Sequence, residues 1–317
     1  MNCIISPPSG AVKRYFPAKP PSIDNNTHRD YNAQETTDRG ALFSRRNRQG
    51  GPVMEHQTTP PLLIDLEQLR ANLEQIWAVT QRTKSRILLD QTAFPAWPLY
   101  PMLGLYLSGT TAGTATLARQ GLRYMDRDSH GVASGLSPEE FSALLPCCHN
   151  ITFDSWDQWR QFGPEARAKG VSCALRVTDG RLCRPGIPLD ALPEQLPNGI
   201  NGLQLQLLDP SDPTHLAAAL DQVEARLGGL LPGLFQFSVG GSFPLTDPAF
   251  DLAGLEEILR RFRARWGLLL YLEVGDAVGR SACAPLPHPP EFPFPFPEGY
   301  PPIYVKQGSG ARPFSHF

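Results

Sequence analysis

The chain has 317 residues, 41% of them hydrophobic, and its 29 Lys and Arg residues nearly balance its 31 Asp and Glu residues to give a net charge of -2. This length suffices for one large α/β barrel or two ordinary domains, so a small disulfide-stapled scaffold is excluded. A nearly neutral chain lacks the positive potential that draws proteins to nucleic acids or acidic membranes, so neither is an expected partner.

The first segment, residues 1–56, lacks apolar periodicity and mixes Pro, Asn, Thr, Asp and Arg. Such a composition buries too little apolar surface to offset the entropy lost on ordering. We therefore predict that residues 1–56 form a disordered N-terminal extension.

From residue 59 onward, short apolar runs alternate with segments of helical periodicity, a pattern typical of βα units and a parallel sheet. The first run, Leu62-Leu63-Ile64, precedes a helix with regularly spaced apolar residues from Leu66 to Trp77. The further strand candidates are residues 87–89, 109–112, 131–133, 151–153, 173–177, 203–207, 235–237 and 268–272. The further helix candidates are residues 97–107, residues 115–121, segments beginning at Ser137, Ser155 and Pro213, and residues 252–265.

Counting from Ile87 gives eight strand candidates before Glu273, near the lower length limit for a (β/α)8 barrel. We predict a TIM-type α/β barrel over residues 57–282, with an open doubly wound sheet as the alternative. Residues 283–302 contain nine prolines in twenty, which favours extended polyproline conformation over paired strands. No second domain of any size is expected after the barrel.

Cysteine usage and signal content indicate a cytoplasmic protein. The six cysteines show no paired CxxC spacing, and Cys147, Cys148 and His149 are too close in sequence to enclose a metal ion unaided. No apolar segment follows Arg45-Arg46, so no export signal is predicted. The uncharged run 91–118 is interrupted by prolines and glycines, which favours a strand and a short helix over a membrane span.

In a barrel, ligand-binding groups come from the carboxyl ends of the strands. The residues predicted at those ends are Asp90, Gln91, Thr92, Arg176, Gln204, Gln206, Gly240, Gly241, Ser242 and Glu273. The Gly240-Gly241-Ser242 turn either exposes N–H groups to a phosphate or is an ordinary tight turn. Glu273 is either a functional carboxylate in a poorly solvated mouth or a strand-end charge facing water, and Arg176 has the same two readings. Gln204 and Gln206 point to one face and could cap a polar barrel end.

Seven segments, in their order and spacing, resemble the carboxynorspermidine/carboxyspermidine decarboxylases, fold-type III pyridoxal 5'-phosphate (PLP) enzymes of polyamine biosynthesis. The segments are residues 59–65, 93–94, 109–112, 172–177, 202–203, 240–241 and 272–278. The resemblance runs from about residue 59 to about residue 300. It implies a PLP barrel followed by a β domain, in a homodimer that decarboxylates carboxynorspermidine or carboxyspermidine.

Several positions depart from the family pattern. The family lysine that forms the Schiff base falls on Thr92, whose hydroxyl cannot form an imine. The chain has five lysines, at positions 13, 19, 84, 169 and 306, and none is placed to substitute. The stacking histidine falls on Gln206, and the first glycine of the phosphate turn is Val239, a β-branched residue ill suited to positive φ. Glu273 matches the acid that pairs with the pyridinium nitrogen.

The family continues beyond Cys283 into a β domain whose Cys and Asp complete the partner subunit's active site. Neither motif occurs before Phe317, so we expect residues 283–317 to be a Pro-rich remnant of a largely missing β domain.

These departures predict that no catalytic residue is intact and that any PLP would be held without a covalent bond. The resemblance leaves five cofactor-binding candidates, which are Glu273, Gly240, Gly241, Gln206 and Arg176. Three hypotheses follow: a catalytically inactive relative, an active carboxy-lyase that makes norspermidine or spermidine, and a non-enzymatic partner of an intact decarboxylase in a homodimer or heterodimer. A decaying gene product is a further alternative.

Overall fold

The computed structural model describes residues 62–184, 186–286, 303–307 and 310–313. The predicted disorder of residues 1–56 lies outside these residues, as does the proline-rich stretch 287–302. The proposed domain boundaries therefore stay predictions.

The strands, in chain order, are β1 (Leu62–Asp65), β2 (Arg86–Asp90), β3 (Gly109–Ala112), β4 (Asp128–Val132), β5 (Asn150–Phe153), β6 (Ser172–Thr178), β7 (Ile187–Pro188), β8 (Ile200–Gln206), β9 (Gln236–Gly240), β10 (Leu269–Val274), β11 (Cys283–Pro285), β12 (Ile303–Gln307) and β13 (Gly310–Pro313). The helices are α1 (Leu66–Thr83), α2 (Tyr100–Leu103), α3 (Ala115–Gln120), α4 (Pro138–Leu144), α5 (Trp156–Ala168), α6 (Pro213–Leu227), α7 (Leu252–Trp266) and α8 (Asp276–Gly279).

Eight parallel strands close into a barrel. Their order is β5-β4-β3-β2-β10-β9-β8-β6, and a further β5–β6 pairing completes the ring. The short β7 adds to the end of β6. The predicted (β/α)8 barrel is therefore confirmed, and the alternative open sheet is excluded.

Several barrel helices begin where the sequence places a capping residue. Ser137 Oγ accepts a hydrogen bond from the Glu140 N–H, and the Glu140 carboxylate accepts one from the Ser137 N–H, which forms a capping box at the start of α4. Ser155 caps α5 and Asp251 caps α7, each by accepting a hydrogen bond from the backbone N–H three residues later. One predicted helix is shorter than expected: residues 97–107 contain a 3-10 turn and the four-residue α2. Residue 104, which follows α2, is a glycine for a steric reason, because a Cβ there would lie 2.7 Å from the Met125 carbonyl oxygen.

The barrel strands bury apolar side chains outward, against the helices, and polar side chains inward. Leu175, Leu203 and Leu272 are fully buried in the hydrophobic core. Contacts across the lumen identify the inward face, because Arg86 on β2 bonds Asp128 on β4, two strands away. Strand alternation explains this division, since successive side chains point to opposite faces.

A second, four-stranded sheet joins the segments before and after the barrel, in the order β11-β1-β12-β13. The prediction of unpaired polyproline conformation is thus wrong for Cys283–Pro285, which pairs antiparallel with β1. Pro285 is tolerated because β11 is an edge strand, where a missing N–H donor costs no ladder bond.

None of the helices in the described part of the chain combines the length with the apolar composition needed to cross a bilayer.

An ion pair ties α1 to α7. Arg82 Nε lies 2.8 Å from both Glu256 carboxylate oxygens. We expect Arg82→Ala to lower the free energy of unfolding by roughly 1–2 kcal/mol, because it leaves the buried Glu256 without its guanidinium while Arg82 itself is half-exposed. Arg160→Ala, which breaks an exposed pair with Asp157, should cost less than about 0.5 kcal/mol in the same urea titration. Equal losses would contradict a structural role for the α1–α7 pair.

Candidate functional site at the barrel mouth

The loop after β2 carries Thr92 at the carboxyl end of the barrel. Its backbone N–H and its hydroxyl both donate to Asp90 Oδ1, at 2.9 and 2.6 Å. The side chain is therefore held by the last residue of its own strand, in a turn of the kind that Asp favours. Thr92 presents a hydroxyl group at this position and no amine.

The lysines of the described residues lie away from this mouth. Lys84 follows α1 at the opposite, amino-terminal end of β2, where its backbone N–H bonds Thr80. Lys169 pairs with Glu165 at 3.0 Å, and Lys306 pairs with Asp65 at 3.1 Å. The described part of the chain thus brings no primary amine to the mouth.

Three lumen side chains form a hydrogen-bonded chain across β6, β8 and β10. Arg176 Nε donates to Gln204 Oε1 at 3.0 Å, and Gln204 Nε2 donates to Glu273 Oε1 at 2.7 Å. Gln204 is 2% exposed and Glu273 is 7% exposed. The amide of Gln204 therefore links a buried acid to a guanidinium that does not itself touch it.

Gly240 lies on β9, between the strands that carry these groups, and is the register partner of Gln206 on β8. A Cβ at residue 240 would lie 2.5 Å from Glu273 Oε2 and closer still to Gln206 Oε1. The space that a side chain of residue 240 would need is thus filled by Gln206 and Glu273.

Electrostatics at the mouth centre on Glu273. Burial raises the pKa of its carboxyl to about 7. The positive charge of Arg176 lowers this pKa, and the negative charge of Asp90 raises it further. Hydrogen bonds from Gln204 and Gln206 also lower this pKa. Burial lowers the pKa of Arg176, while Glu273 and Asp154 oppose that change. Glu273 is therefore divided between its acid and carboxylate forms near neutral pH.

The turn after β9 differs from the sequence-based expectation for Val239. That residue lies inside β9 and is buried, so it needs no positive φ. The left-handed backbone falls on Gly241, with φ of 135°, and on Ser242, with φ of 65°. The strain anticipated at Val239 is therefore absent, and the turn forms two residues later.

The structure brings Arg176, Gln206, Gly240 and Glu273 together, whereas Gly241 faces the end of β8. A Cβ on Gly241 would lie 3.2 Å from Leu207 Cβ. Of the open readings for Glu273, the buried carboxyl group applies and the solvent-facing charge does not. Gln204 and Gln206 do face the lumen together, as their spacing predicted.

Sequence reasoning missed a carboxylate at the rim of the mouth and an aromatic pair in the lumen. Asp154 follows β5 and accepts a hydrogen bond from Ser134 at 2.5 Å, and its position after a strand was the available signal. Deeper in the barrel, the His130 ring packs against the Tyr271 ring, with ring centres 4.6 Å apart and ring planes inclined by 60°. Burial lowers the pKa of His130 to about 4, so this ring is neutral at physiological pH. Beyond the alternation of side chains along the strands, no sequence signal marked this pair.

The residues present do not fit a covalently held PLP group. A Schiff base requires an amine, and Thr92 occupies the expected position with its hydroxyl bonded to Asp90. Gln206, where the resemblance places a stacking histidine, fills the space beside Gly240 with its side chain. Glu273, where the resemblance places the acid for the pyridinium nitrogen, already accepts a hydrogen bond from Gln204.

Comparisons with known proteins place these departures in context. No protein-family model matches the chain. The chain is 29% identical over 240 residues to the carboxynorspermidine/carboxyspermidine decarboxylase of Herminiimonas arsenicoxydans, covering 71% of this chain and 65% of that protein. It is 26% identical over 243 residues to the carboxyaminopropylagmatine decarboxylase of Synechocystis, covering 72% and 62%. The chain therefore spans less than two thirds of the length of these curated relatives.

Solved structures give the same result. The carboxynorspermidine decarboxylase from Campylobacter jejuni, complexed with norspermidine, matches with a TM-score of 0.66 and 26% identity, over 71% of this chain and 62% of that one. SrLDC in complex with PLP and cadaverine matches with a TM-score of 0.51 and 17% identity over 75% and 68%, which supports the fold alone. The resemblance found in the sequence motifs is therefore confirmed: this chain is related, in sequence and in fold, to the carboxynorspermidine/carboxyspermidine decarboxylases.

Proposed function

We propose that this chain is a non-catalytic relative of the carboxynorspermidine-type decarboxylases, one that keeps their barrel without their Schiff-base chemistry. PLP supplies an electron sink for decarboxylation when it is conjugated to the substrate amine through C=N. The observation that carries the proposal is Thr92, which falls where the resemblance places the Schiff-base lysine and whose hydroxyl donates a hydrogen bond to Asp90. Lys84, Lys169 and Lys306 lie elsewhere, as described above.

The hydrogen bonding of Glu273 supports the same conclusion. Its Oε1 already accepts a hydrogen bond from Gln204, so a pyridine nitrogen that approached this oxygen would compete with the amide. The barrel thus satisfies this acid internally, through an amide.

Turnover and covalent attachment can be measured on the same preparation. We expect the purified protein, incubated with PLP, to release no CO2 from carboxynorspermidine, carboxyspermidine or carboxyaminopropylagmatine, the substrate classes named for its relatives. Borohydride reduction with one equivalent of PLP should label no single lysine stoichiometrically, in contrast to the one active-site lysine expected in a Schiff-base enzyme. The Campylobacter jejuni enzyme serves as the positive control. A lysine peptide carrying a reduced pyridoxyl group, together with CO2 release, would refute the proposal.

The burial of Glu273 also predicts a pH-dependent stability. Its folded pKa of about 7 lies above the unfolded value, so the folded state binds the extra proton. The stability that this proton contributes to the folded state is fully present below the unfolded pKa of about 4.3. It is lost as the pH rises through the folded pKa of Glu273. Glu273→Gln cannot ionise, so between pH 5 and pH 8 it should lose less stability than the wild type, by up to roughly 3 kcal/mol.

Urea unfolding of both proteins at several pH values measures this difference. His130 acts in the opposite direction, since its lowered pKa gives stability that is lost as the pH falls from its unfolded value toward about 4. It is present in both proteins and therefore cancels in the comparison. Glu139→Gln, at an exposed position on α4, is the matched control and should keep the wild-type pH dependence. Parallel stability curves for Glu273→Gln and the wild type would show that Glu273 is not the titrating group.

A further inference from the structure

We propose that Gln204, Gln206 and Glu273 form an amide clamp that fills the recess at the barrel mouth, defined as the space beside Gly240. This clamp excludes a pyridine ring from the recess, including a ring that would bind without a covalent bond. The proposed function concerns Schiff-base formation, whereas this inference concerns non-covalent binding of a ring in the same recess. Either proposal can therefore be refuted while the other stands.

The first support is steric. Gly240 has no side chain, and in an open recess its α-carbon would border empty space. Here Gln206 and Glu273 reach over it from the strands on either side, with Glu273 Oε2 only 2.5 Å from the position of a Cβ. The glycine therefore accommodates atoms of this chain, and an incoming ring would have to displace them.

The second support is hydrogen bonding within the clamp. Both ends of the Gln204 amide are used, one by Arg176 at 3.0 Å and the other by Glu273 at 2.7 Å. A ring nitrogen that approached Glu273 Oε1 would compete with this amide donor. Displacing Gln204 would leave a buried amide, acid and guanidinium without their partners, which is costly in a site of low polarity.

The two glutamines have separable roles, and this makes the clamp testable. Gln204 carries the link between Arg176 and Glu273, so its removal would disrupt the buried network. Gln206 fills the space beside Gly240, adds a hydrogen bond that lowers the pKa of Glu273, and lies at the partly exposed end of β8, outside the link to Arg176. Truncation of Gln206 should therefore open the recess while the Arg176–Gln204–Glu273 chain remains intact.

The direct test measures binding of pyridoxamine 5'-phosphate, which carries an amine and so cannot form an imine with a lysine, by isothermal titration calorimetry. We expect no binding to the wild-type protein at about 1 mM ligand and at least roughly tenfold stronger binding to Gln206→Ala. Gln161→Ala, at an exposed position on α5, is the matched control and should behave as the wild type does. Inorganic phosphate, titrated separately, tells whether any affinity belongs to the ring or to the phosphate group alone.

Each outcome decides the inference. Micromolar binding of pyridoxamine 5'-phosphate to the wild type would overturn it, and without CO2 release the proposed function would still stand. A Gln206→Ala protein that melts like the wild type and still fails to bind would also overturn it, as would an affinity that inorganic phosphate alone reproduces. If Gln206→Ala does not fold, Gln206→Asn shortens the amide by one methylene and is expected to show the same gain in binding.

A second test combines the clamp with the missing amine. Thr92→Lys alone should form little borohydride-reducible imine with PLP, because Gln206 still fills the recess and Asp90, which now bonds the Thr92 hydroxyl at 2.6 Å, would pair with the new ammonium group. Thr92→Lys with Gln206→Ala should form at least roughly tenfold more imine at equal PLP, as read from absorbance and peptide mass. Equal imine formation in the two proteins would show that Gln206 does not restrict access.

Discussion

A carboxyl group buried inside a barrel has to be hydrogen-bonded or protonated, and the mouth of this barrel is arranged around that requirement at Glu273. Gln204 meets it by donating to the acid and accepting from Arg176, so charge is balanced through an amide instead of a direct ion pair. Direct contact would remove more solvent from both ions at a cost that Coulomb attraction often fails to repay. The same arrangement requires a glycine at position 240, because Glu273 and Gln206 occupy the space next to it.

The lumen as a whole extends this polar character. Barrels of this type are commonly filled with layers of Val, Ile and Leu. Here Arg86 donates hydrogen bonds to Asp128 and to the Tyr271 hydroxyl near the amino-terminal end, and the His130 ring packs at an inclined angle against the Tyr271 ring. Hydrophobic stabilisation therefore comes chiefly from the outer faces of the strands, where residues such as Leu175 and Leu272 pack under the helices. The interior is held together by directional contacts, which specify geometry more strictly than apolar packing does.

Much of the fold was predictable because it depends on local patterns. All eight barrel strands were found, most of them as short apolar runs next to a helical period, although β4 begins three residues earlier than predicted. Ser137 and Ser155 marked helix starts by their capping chemistry. The pairing of β11 with β1 was not, because its partner lies more than two hundred residues earlier in the chain. Alternation showed that Gln204 and Gln206 share a face, but the contact between Gln204 and Glu273 passes over β9. That contact depends on the stagger between the barrel strands and on the presence of glycine at residue 240, and neither can be read from one strand alone.

The small sheet beside the barrel has a mechanical consequence. β1 leads into the barrel and lies between β11 and β12, which follow the last barrel strand, and the Asp65 N–H donates to the Ala282 carbonyl at 2.8 Å. The chain segments that lead into and out of the barrel are therefore hydrogen-bonded to each other outside it. Separating β2 from β10 would also strain the pairing of β1 with β11 and β12, so the first and last strands of the barrel are mechanically coupled. We therefore expect local unfolding of the small sheet to weaken the pairing of β2 with β10, and the reverse, before the other strands of the barrel separate.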